Sequence, residues 1–155
     1  MLPPDLINEA RILSRSGISS KKRLLESLAE LLAEAEPELS TETVFERLLE
    51  RERLGSTGLG HGIALPHARA AEVAAPIGAF IQLREAVDFD AIDDQPVDLA
   101  FALLVPRAAD ERHLQLLASL AEMFNNASLR QRLRTSGSSS DLYNLLTRWV
   151  APAEA

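Results

Sequence analysis

Three histidines are the residues of this 155-residue chain whose types best suit group-transfer chemistry. His61 and His67 flank a short apolar segment, and His113 begins a later stretch with helical spacing. A neutral imidazole has a reference pKa of about 6.5, so it is a good nucleophile near neutral pH. One ring nitrogen can attack a phosphoryl group while a hydrogen bond holds the other.

The residues near His67 are of the kinds that a phosphoryl-transfer site needs. Residues 51–69 read RERLGSTGLGHGIALPHAR. Such transfer depends mainly on positioning and on neutralising the charge of the phosphoryl oxygens. The segment supplies cations, hydroxyl donors and backbone amides that glycines leave accessible. These residues are Arg51, Arg53, Gly55, Ser56, Thr57, Gly58, Gly60 and Gly62.

Two other interpretations of the same residues stay open. Three imidazoles form the zinc site of some enzymes, so His61, His67 and His113 are also candidate metal ligands. Alternatively, the histidines only bond local backbone groups and the glycines only form turns. A phosphate-binding loop is excluded because His61-Gly62 stands where Lys-Ser/Thr is required, and neither GxSxG nor HExxH occurs.

The length and composition predict one globular domain over residues 1–155. The net charge of −7 argues against a nucleic-acid partner, since phosphate backbones recruit clustered Lys and Arg. The chain has no cysteine, which excludes thiol chemistry and disulfides. The longest apolar run, Leu99 to Val105, is too short to cross a membrane, and no signal peptide is evident. We therefore expect a cytoplasmic protein.

Helical spacing predicts two helices before the glycine-rich segment. Leucines recur at this spacing between residues 24 and 32, and apolar residues do so again between 44 and 49. Serine or threonine precedes each stretch, as is typical of helix N-caps. The first helix is expected from Ser19 or Ser20 to about Glu34, and the second from Ser40 or Thr41 to near Gly55.

Strands are predicted after these helices. The stretch GSTGLGHG is too rich in glycine for regular structure. Ile63 to Leu65 reads as a short strand ended by Pro66, so His67 is expected just past a strand end and facing a cleft. Residues 77–83 form a second predicted strand. Residues 97–105 are almost wholly apolar, which suits a central strand covered on both faces.

Helices follow these strands. Asp110 is the predicted cap of a long helix, residues 128–134 form a shorter one, and Ser138 with Asp141 opens the last. The long helix is expected to bury Leu114, Leu117, Leu120, Ala121 and Phe124, and the last Leu142, Leu145, Leu146 and Trp149. The fold class is α/β, a single-domain sandwich with a mixed central β-sheet flanked by α-helices.

The segment RERLGSTGLGHGIALPHAR resembles the active-site segment of EIIA proteins of the fructose/mannitol class in the bacterial phosphoenolpyruvate-dependent phosphotransferase system. The segments SSKKRLLESLAELL, FDAIDDQPVDLAFALLVP and HLQLLASLAEMF also resemble that family, in collinear order from about Leu6 to Trp149. The nitrogen-related branch is the most similar, through LGSTGLG, AIDDQPVDL and ALLVP.

This resemblance implies roles for individual residues. His67 would be phosphorylated, His113 would lie beside it, and Arg51 would help to neutralise the phosphate. Ser56 and Thr57 match a conserved Ser-Thr pair of the family, and with Gly58, Gly60, His61 and Gly62 they would line the phosphate pocket. His61 stands where many relatives have Asn, and either side chain can offer a hydrogen bond. No metal and no cofactor are implied.

The resemblance also implies partners. The phosphoryl donor would be an HPr-like phosphocarrier protein (NPr), and regulatory target proteins would bind according to phosphorylation, with no nucleic acid and no membrane involved. One alternative is the EIIA component of a fructose/mannitol-type sugar transporter that passes phosphate to a separate EIIB. A second alternative is a binding module that is never phosphorylated. The sequence leaves open which ring nitrogen of His67 carries the phosphate.

Overall fold

A mixed sheet of six strands forms the centre of the fold in a computed structural model that describes residues 2–108 and 111–150. The strands are β1 Ile12–Ser16, β2 Gly58–Gly60, β3 Ile63–Ala64, β4 His67–Ala70, β5 Ile77–Val87 and β6 Val97–Pro106. The helices are α1 Lys21–Ala33, α2 Thr41–Arg53, α3 Glu111–Phe124, α4 Ala127–Thr135 and α5 Ser139–Arg148, and a 3-10 turn covers Glu9–Arg11. The predicted α/β class is confirmed.

Strand β6 is the centre of the sheet, as its apolar sequence predicts. It pairs antiparallel with β5 and parallel with β3 and β4. Ala100, Ala102 and Leu104 pack on the face covered by α1 and α2, whereas Leu99 and Leu103 pack on the face covered by α3, α4 and α5. Burial on both faces explains why almost no polar residue occurs in this strand.

Strands β3 and β4 form one interrupted ladder along β6. Ile63 pairs with Leu99 and His67 with Leu103, so the register is the same on both sides of Pro66. Pro66 has no N–H to donate, but its carbonyl accepts from the N–H of Leu103 at 2.9 Å. The expectation that His67 follows a strand end is therefore wrong, because the ladder resumes after the proline and His67 begins β4.

The glycine-rich stretch also contains regular structure that its composition did not predict. Gly58–Gly60 forms β2, which pairs antiparallel with β3. His61 and Gly62 make the turn, with φ values of +58° and +79°. Two-residue hairpin turns of type I′ need positive φ at both positions, which glycine adopts freely and histidine tolerates better than most residues. Gly58, Gly60 and Gly62 therefore belong to the β2–β3 hairpin.

Most predicted helix boundaries are confirmed by their caps. The hydroxyl oxygens of Ser20, Ser40 and Ser138 accept from backbone N–H groups three residues on, at 3.0–3.2 Å. Helix α4 begins one residue earlier than predicted, because the side chain of Asn126 caps it. The predicted cap Asp110 lies outside the described residues. No helix within the described residues has both the length and the apolar character that a membrane crossing requires.

The predicted inner face of α3 is confirmed for Leu120 and Phe124 and wrong for Leu114. Leu114 is 64% exposed, and Leu117 and Ala121 are only partly buried. Apolar residues occupy much of the circumference of this helix, so their spacing alone does not fix which side faces the sheet. The residues that α3 buries are Leu116, Leu120, Met123 and Phe124.

Strand β1 was not predicted, because its sequence ILSRS alternates weakly and has few apolar residues. It lies at the sheet edge and pairs parallel with β5. The adjacent position Gln82 of β5 is polar yet buried, and its side chain joins the sheet to α4. The amide nitrogen donates to the carbonyls of Leu133 and Ser136 at 2.8 and 2.9 Å, and the amide oxygen accepts from the N–H of Arg15.

Replacing Gln82 with Leu should lower the free energy of unfolding by about 3 kcal/mol, because buried backbone groups lose their partners. Urea denaturation measures this change. The matched control is Gln131→Leu, at an exposed position of α4. An equal loss in both variants would contradict the anchoring role.

Candidate functional site

The imidazole of His67 is half-buried and held by one short contact. Its Nδ1 lies 2.8 Å from the carbonyl oxygen of Leu65. A carbonyl only accepts hydrogen bonds, so this contact assigns the proton of the neutral ring to Nδ1. The lone pair is then on Nε2, the nitrogen that is able to attack an electrophile.

The surroundings of His67 keep its ring neutral. Burial is the largest cause of a pKa below the ordinary value of 6.5, because the charged ring loses hydration. The Leu65 carbonyl raises the pKa, the Arg51 guanidinium lowers it and the Glu52 carboxylate raises it. The pKa stays lowered overall, so the ring is a neutral nucleophile at neutral pH.

Arg51 lies in the last turn of α2 with its side chain tied to the loop that follows. Its Nη1 donates to the carbonyl oxygen of Gly55 at 2.9 Å. Arg51 and Ala68, the residue after His67, line a cleft of about 440 Å³. Arg69 and Arg107 line the same cleft, so its positive charge suits a phosphoryl group. The motifs do not indicate a role for these two arginines, although Arg69 is the last residue of the segment 51–69.

Glu52 is a buried carboxylate that holds the loop around this cleft. Its oxygens accept from the Thr57 N–H at 3.0 and 3.2 Å and from the Thr57 hydroxyl at 2.6 Å. Its Oε1 also pairs with the Lys21 ammonium at 3.0 Å. Lys21 in turn lies over the ring of Phe89, 4.6 Å from its centroid. Helices α1 and α2 and the loop are thus joined at one carboxylate.

Glu52 occupies a sequence position that is unfavourable for an acid. An acidic residue in the last turn of a helix lies at the negative end of the helix dipole, where cations are favoured. Glu52 occupies such a position between Arg51 and Arg53. Its burial against Thr57 and Lys21 explains why an acid is needed there.

The hydroxyls of Ser56 and Thr57 are already engaged in the loop. Ser56 donates to the carbonyl of Phe89 at 3.0 Å and accepts from the N–H of Gly58 at 3.0 Å. Gly58 is needed for close packing, since a Cβ there would lie 2.7 Å from the Cβ of Ala91. The predicted contacts of Ser56 and Thr57 with phosphate stay predictions. In this structure their hydroxyls donate to the carbonyl of Phe89 and to the carboxylate of Glu52.

Gly60, His61 and Gly62 lie at the far end of the β3–β4 ladder from His67. Four strand residues separate position 63 from position 67, on the order of 13 Å. The His61 N–H donates to the carboxylate of Asp93 at 3.0 Å, and its carbonyl accepts from Arg134. The expectation that these three residues share a pocket with His67 is not met, because an extended strand carries them away.

His113 lies on the face of α3 that packs on the sheet, and His67 lies on the sheet face that α3 covers. Ile63 and Leu65 pack on the α3 side of the sheet, and alternation along the ladder places the side chain of His67 on that side. On α3, His113 precedes the buried Leu116 by three residues, so the two share a face.

The end of α3 lies beside the β2–β3 hairpin. Ala121 and Glu122 line a cleft there together with His61 and Ile63. His113 lies nine helical residues before Glu122, a span of about 13.5 Å along the helix. The position of His113 beside His67 stays a prediction of the resemblance.

A three-histidine zinc site has no support in this geometry. Within the described residues, no group of three His, Cys, Asp or Glu side chains is placed to hold a metal ion. The strand that separates His61 from His67 explains why. The arrangement is instead one neutral imidazole, next in the chain to Ala68, which lines a basic cleft.

Comparison with known proteins shows the family of the chain. A family model described as the phosphoenolpyruvate-dependent sugar phosphotransferase system, EIIA 2, matches residues 5–149. The chain belongs to this EIIA family. The EIIA chain is 50% identical over 127 residues to the nitrogen regulatory protein of Pseudomonas aeruginosa, covering 82% of each protein. It is 43% identical over 143 residues to that of Escherichia coli, covering 92% of this chain and 87% of the relative.

The fold of the EIIA chain is also shared with a solved structure. Nitrogen regulatory protein IIA-Ntr from Neisseria meningitidis is 45% identical, with a TM-score of 0.86, over 91% of this chain and 96% of that one. The resemblance to the nitrogen-related branch is confirmed.

Titration of the EIIA protein by nuclear magnetic resonance should give His67 a pKa below 6.5. In Arg51→Gln the pKa should rise, because a nearby cation that disfavours the charged ring is removed. Arg53→Gln, which changes an exposed neighbour, is the control. Identical His67 titrations in wild type and Arg51→Gln would contradict the assigned electrostatics.

The lowered pKa of His67 should also make the free energy of unfolding depend on pH. The unfolded His67 takes up its proton near pH 6.5, before the folded ring does, so the free energy of unfolding should fall as the pH drops below 6.5. Above pH 6.5 both states are neutral and this contribution is flat. His67→Gln should lose this part of the pH dependence in thermal or urea unfolding.

Glu52→Ala should lower the free energy of unfolding by about 3 kcal/mol, because Thr57 and Lys21 lose a buried charged partner. Glu52→Gln should lose less, since one acceptor oxygen remains. Hydrogen exchange of the Thr57 amide should accelerate in both. The control is Glu46→Gln, at an exposed position of α2; unchanged Thr57 exchange in Glu52→Ala would refute the network.

Proposed function

We propose that this EIIA protein is a cytoplasmic phosphocarrier that accepts a phosphoryl group on Nε2 of His67 from an HPr-like phosphocarrier protein (NPr). NPr would itself be charged from phosphoenolpyruvate, and regulatory target proteins would distinguish the two forms of the EIIA protein. The proposal treats the chain as one EIIA type-2 domain. The observation that carries it is the neutral imidazole of His67, held at Nδ1 and within the electrostatic influence of Arg51, which lines a basic cleft with Ala68.

The transfer step needs little bond chemistry from the protein. The lone pair of Nε2 forms the new bond to phosphorus while the bond between phosphorus and the donor breaks. No proton has to move, because Nδ1 keeps its proton throughout. The ring becomes positively charged, and the carbonyl of Leu65 at Nδ1 stabilises that charge.

Two further groups act on the transferred oxygens in this proposal. The guanidinium of Arg51 supplies positive charge close to the ring, as its effect on the pKa of His67 requires. In this proposal His113 approaches His67 from α3 and contacts the phosphoryl group through a ring nitrogen, as the resemblance implies. Donors that are fixed before the reaction stabilise developing charge at little reorganisation cost.

The regulatory output follows from the surface around the site. Leu54, in the cleft beside Arg51, is 84% exposed, and Leu114, beside His113, is 64% exposed. A partner that covers these leucines would gain from burying apolar surface. Phosphorylation adds about two negative charges at the same place, so such a partner should bind the unphosphorylated form more tightly.

Phosphorylation with phosphoenolpyruvate, the upstream kinase and NPr tests the proposal. Wild type should acquire acid-labile phosphate, His67→Gln none, and His113→Gln should react on the order of a hundredfold more slowly. His61→Gln is the matched control and should react normally, because His61 lies on the distant hairpin. Mass spectrometry under non-acidic conditions locates the phosphate, and its persistence in His67→Gln would refute the assignment.

Two further measurements decide the rest of the proposal. Nitrogen and phosphorus resonance spectra of the phosphorylated protein should place the phosphate on Nε2. Dissociation constants of a captured target protein should differ between the two forms, and equal values would contradict the regulatory output. Rapid transfer onward to an EIIB protein would assign the chain to sugar uptake instead.

A further inference from the structure

A second cleft, of about 540 Å³, lies between α4 and α5. We call it the α4–α5 cleft and define it by residues that line it. These are Arg132, Ser136, Asp141, Leu145, Arg148 and Trp149. The α5 side is fixed near β1, where the hydroxyl of Ser139 donates to the carbonyl of Ile12 at 3.1 Å. Strands β5 and β6 separate β1 from β4, so this cleft lies near the β1 edge of the sheet, away from His67.

Ser136 forms part of the inner wall of the cleft. It is only 9% exposed, and its hydroxyl is the one buried side-chain N or O atom among the described residues without a hydrogen bond. Its backbone is fixed, since its carbonyl accepts from Gln82 and its N–H donates to the carbonyl of Arg132. The hydroxyl is enclosed by protein atoms, so the groups that a ligand meets in the cleft are the side chains at its open surface.

The α4–α5 cleft is positively charged in an acidic protein. Arg132 lies on the α4 side and Arg148 on the α5 side, against a single carboxylate, Asp141. Among the described residues, no ion pair or hydrogen bond engages either guanidinium group. Guanidinium groups on two sides of a cleft suit a carboxylate or phosphate, which accepts hydrogen bonds at several oxygens.

The remaining surface of the α4–α5 cleft is apolar. Leu145 and Trp149 are partly buried, and both pack on the core beneath α5. An indole ring beside guanidinium groups favours a flat or aliphatic group next to an anion. The volume lies within the range of small-molecule sites.

We infer that the α4–α5 cleft binds a small organic anion. Its carboxylate or phosphate group engages Arg132 and Arg148, and its apolar portion contacts Leu145 and Trp149. The ligand spans α4, which Gln82 fastens to the sheet, and α5. This site is independent of the proposed phosphorylation of His67.

The only tryptophan of the chain lines this cleft, so its fluorescence reports occupancy directly. Phenyl phosphate and cyclohexanecarboxylate are the probes, because each joins an anion to an apolar ring. Inorganic phosphate and cyclohexanol carry only one of the two features and serve as controls. A saturable change in emission is expected with the two probes and only a weak one with the controls. No saturable change with either probe overturns the inference.

Variants then test the assigned contacts, with equilibrium dialysis as a second measure of affinity. Arg132→Gln and Arg148→Gln should each weaken binding of phenyl phosphate about tenfold. Asp141→Asn should tighten it, because a repelling carboxylate is removed. Arg23→Gln, on exposed α1 surface, is the control. Affinity that is unchanged in both cleft arginine variants overturns the site.

Folding and function are controlled separately. The substituted arginines are exposed, so thermal unfolding of the variants should match wild type. Phosphorylation of His67 should proceed at the wild-type rate in all of them. A failure of the cleft thus leaves the phosphocarrier proposal standing, and a failure to phosphorylate His67 leaves the cleft standing.

Discussion

The hydrogen bond between the Leu65 carbonyl and Nδ1 of His67 is the contact on which the chemistry of the site depends. Along the β3–β4 ladder, Gly62 and Pro66 direct their carbonyls to β6, whereas Leu65 gives its N–H to the carbonyl of Thr57 on the other side. The Leu65 carbonyl therefore faces away from β6 and accepts from the imidazole two residues on. Strand alternation alone thus sets the tautomer of the nucleophile.

Around this contact the fold supplies charge of both signs at controlled positions. Arg51 disfavours a proton on His67 and Glu52 favours one, although the two are neighbours in one helical turn. Their roles differ because Glu52 is buried by Thr57 and Lys21, while Arg51 reaches over the helix end to Gly55. Burial makes Glu52 an anchor for the loop, while Arg51 remains at the cleft as a cation that lowers the pKa of His67.

Sequence reasoning succeeded where a pattern has one physical solution. The continuous apolar run of β6 requires cover on both faces, and Ser20, Ser40 and Ser138 begin helices by bonding free N–H groups. It failed where tertiary contacts decide. Pro66 predicts the end of a strand, yet the pairing with β6 resumes after it. The carbonyl of Pro66 accepts from Leu103, and the missing N–H is not needed there. The inner face of α3 was also undetermined, because most sides of that helix are apolar.

The residue types of the site were easier to predict than its extent. A histidine suited to nucleophilic attack is recognisable from residue type, and its phosphorylation stays a proposal. The positions of the glycines depend on the β2–β3 hairpin, where Gly58 pairs with Ala64 and Gly60 with Ile63. The role of Glu52 was harder to predict, because it consists of contacts with Lys21 and Thr57 that form only in the folded chain.

The left-handed turn at His61 and Gly62 bears on how variation within the family is interpreted. Position 61 has φ of +58°, a conformation that asparagine, histidine and glycine share and that branched side chains avoid. Replacement of asparagine by histidine there preserves the shape of a hairpin tip. The substitution thus records steric tolerance of the main chain, and it gives no reason to assign relatives that differ at this position to separate enzymatic subclasses.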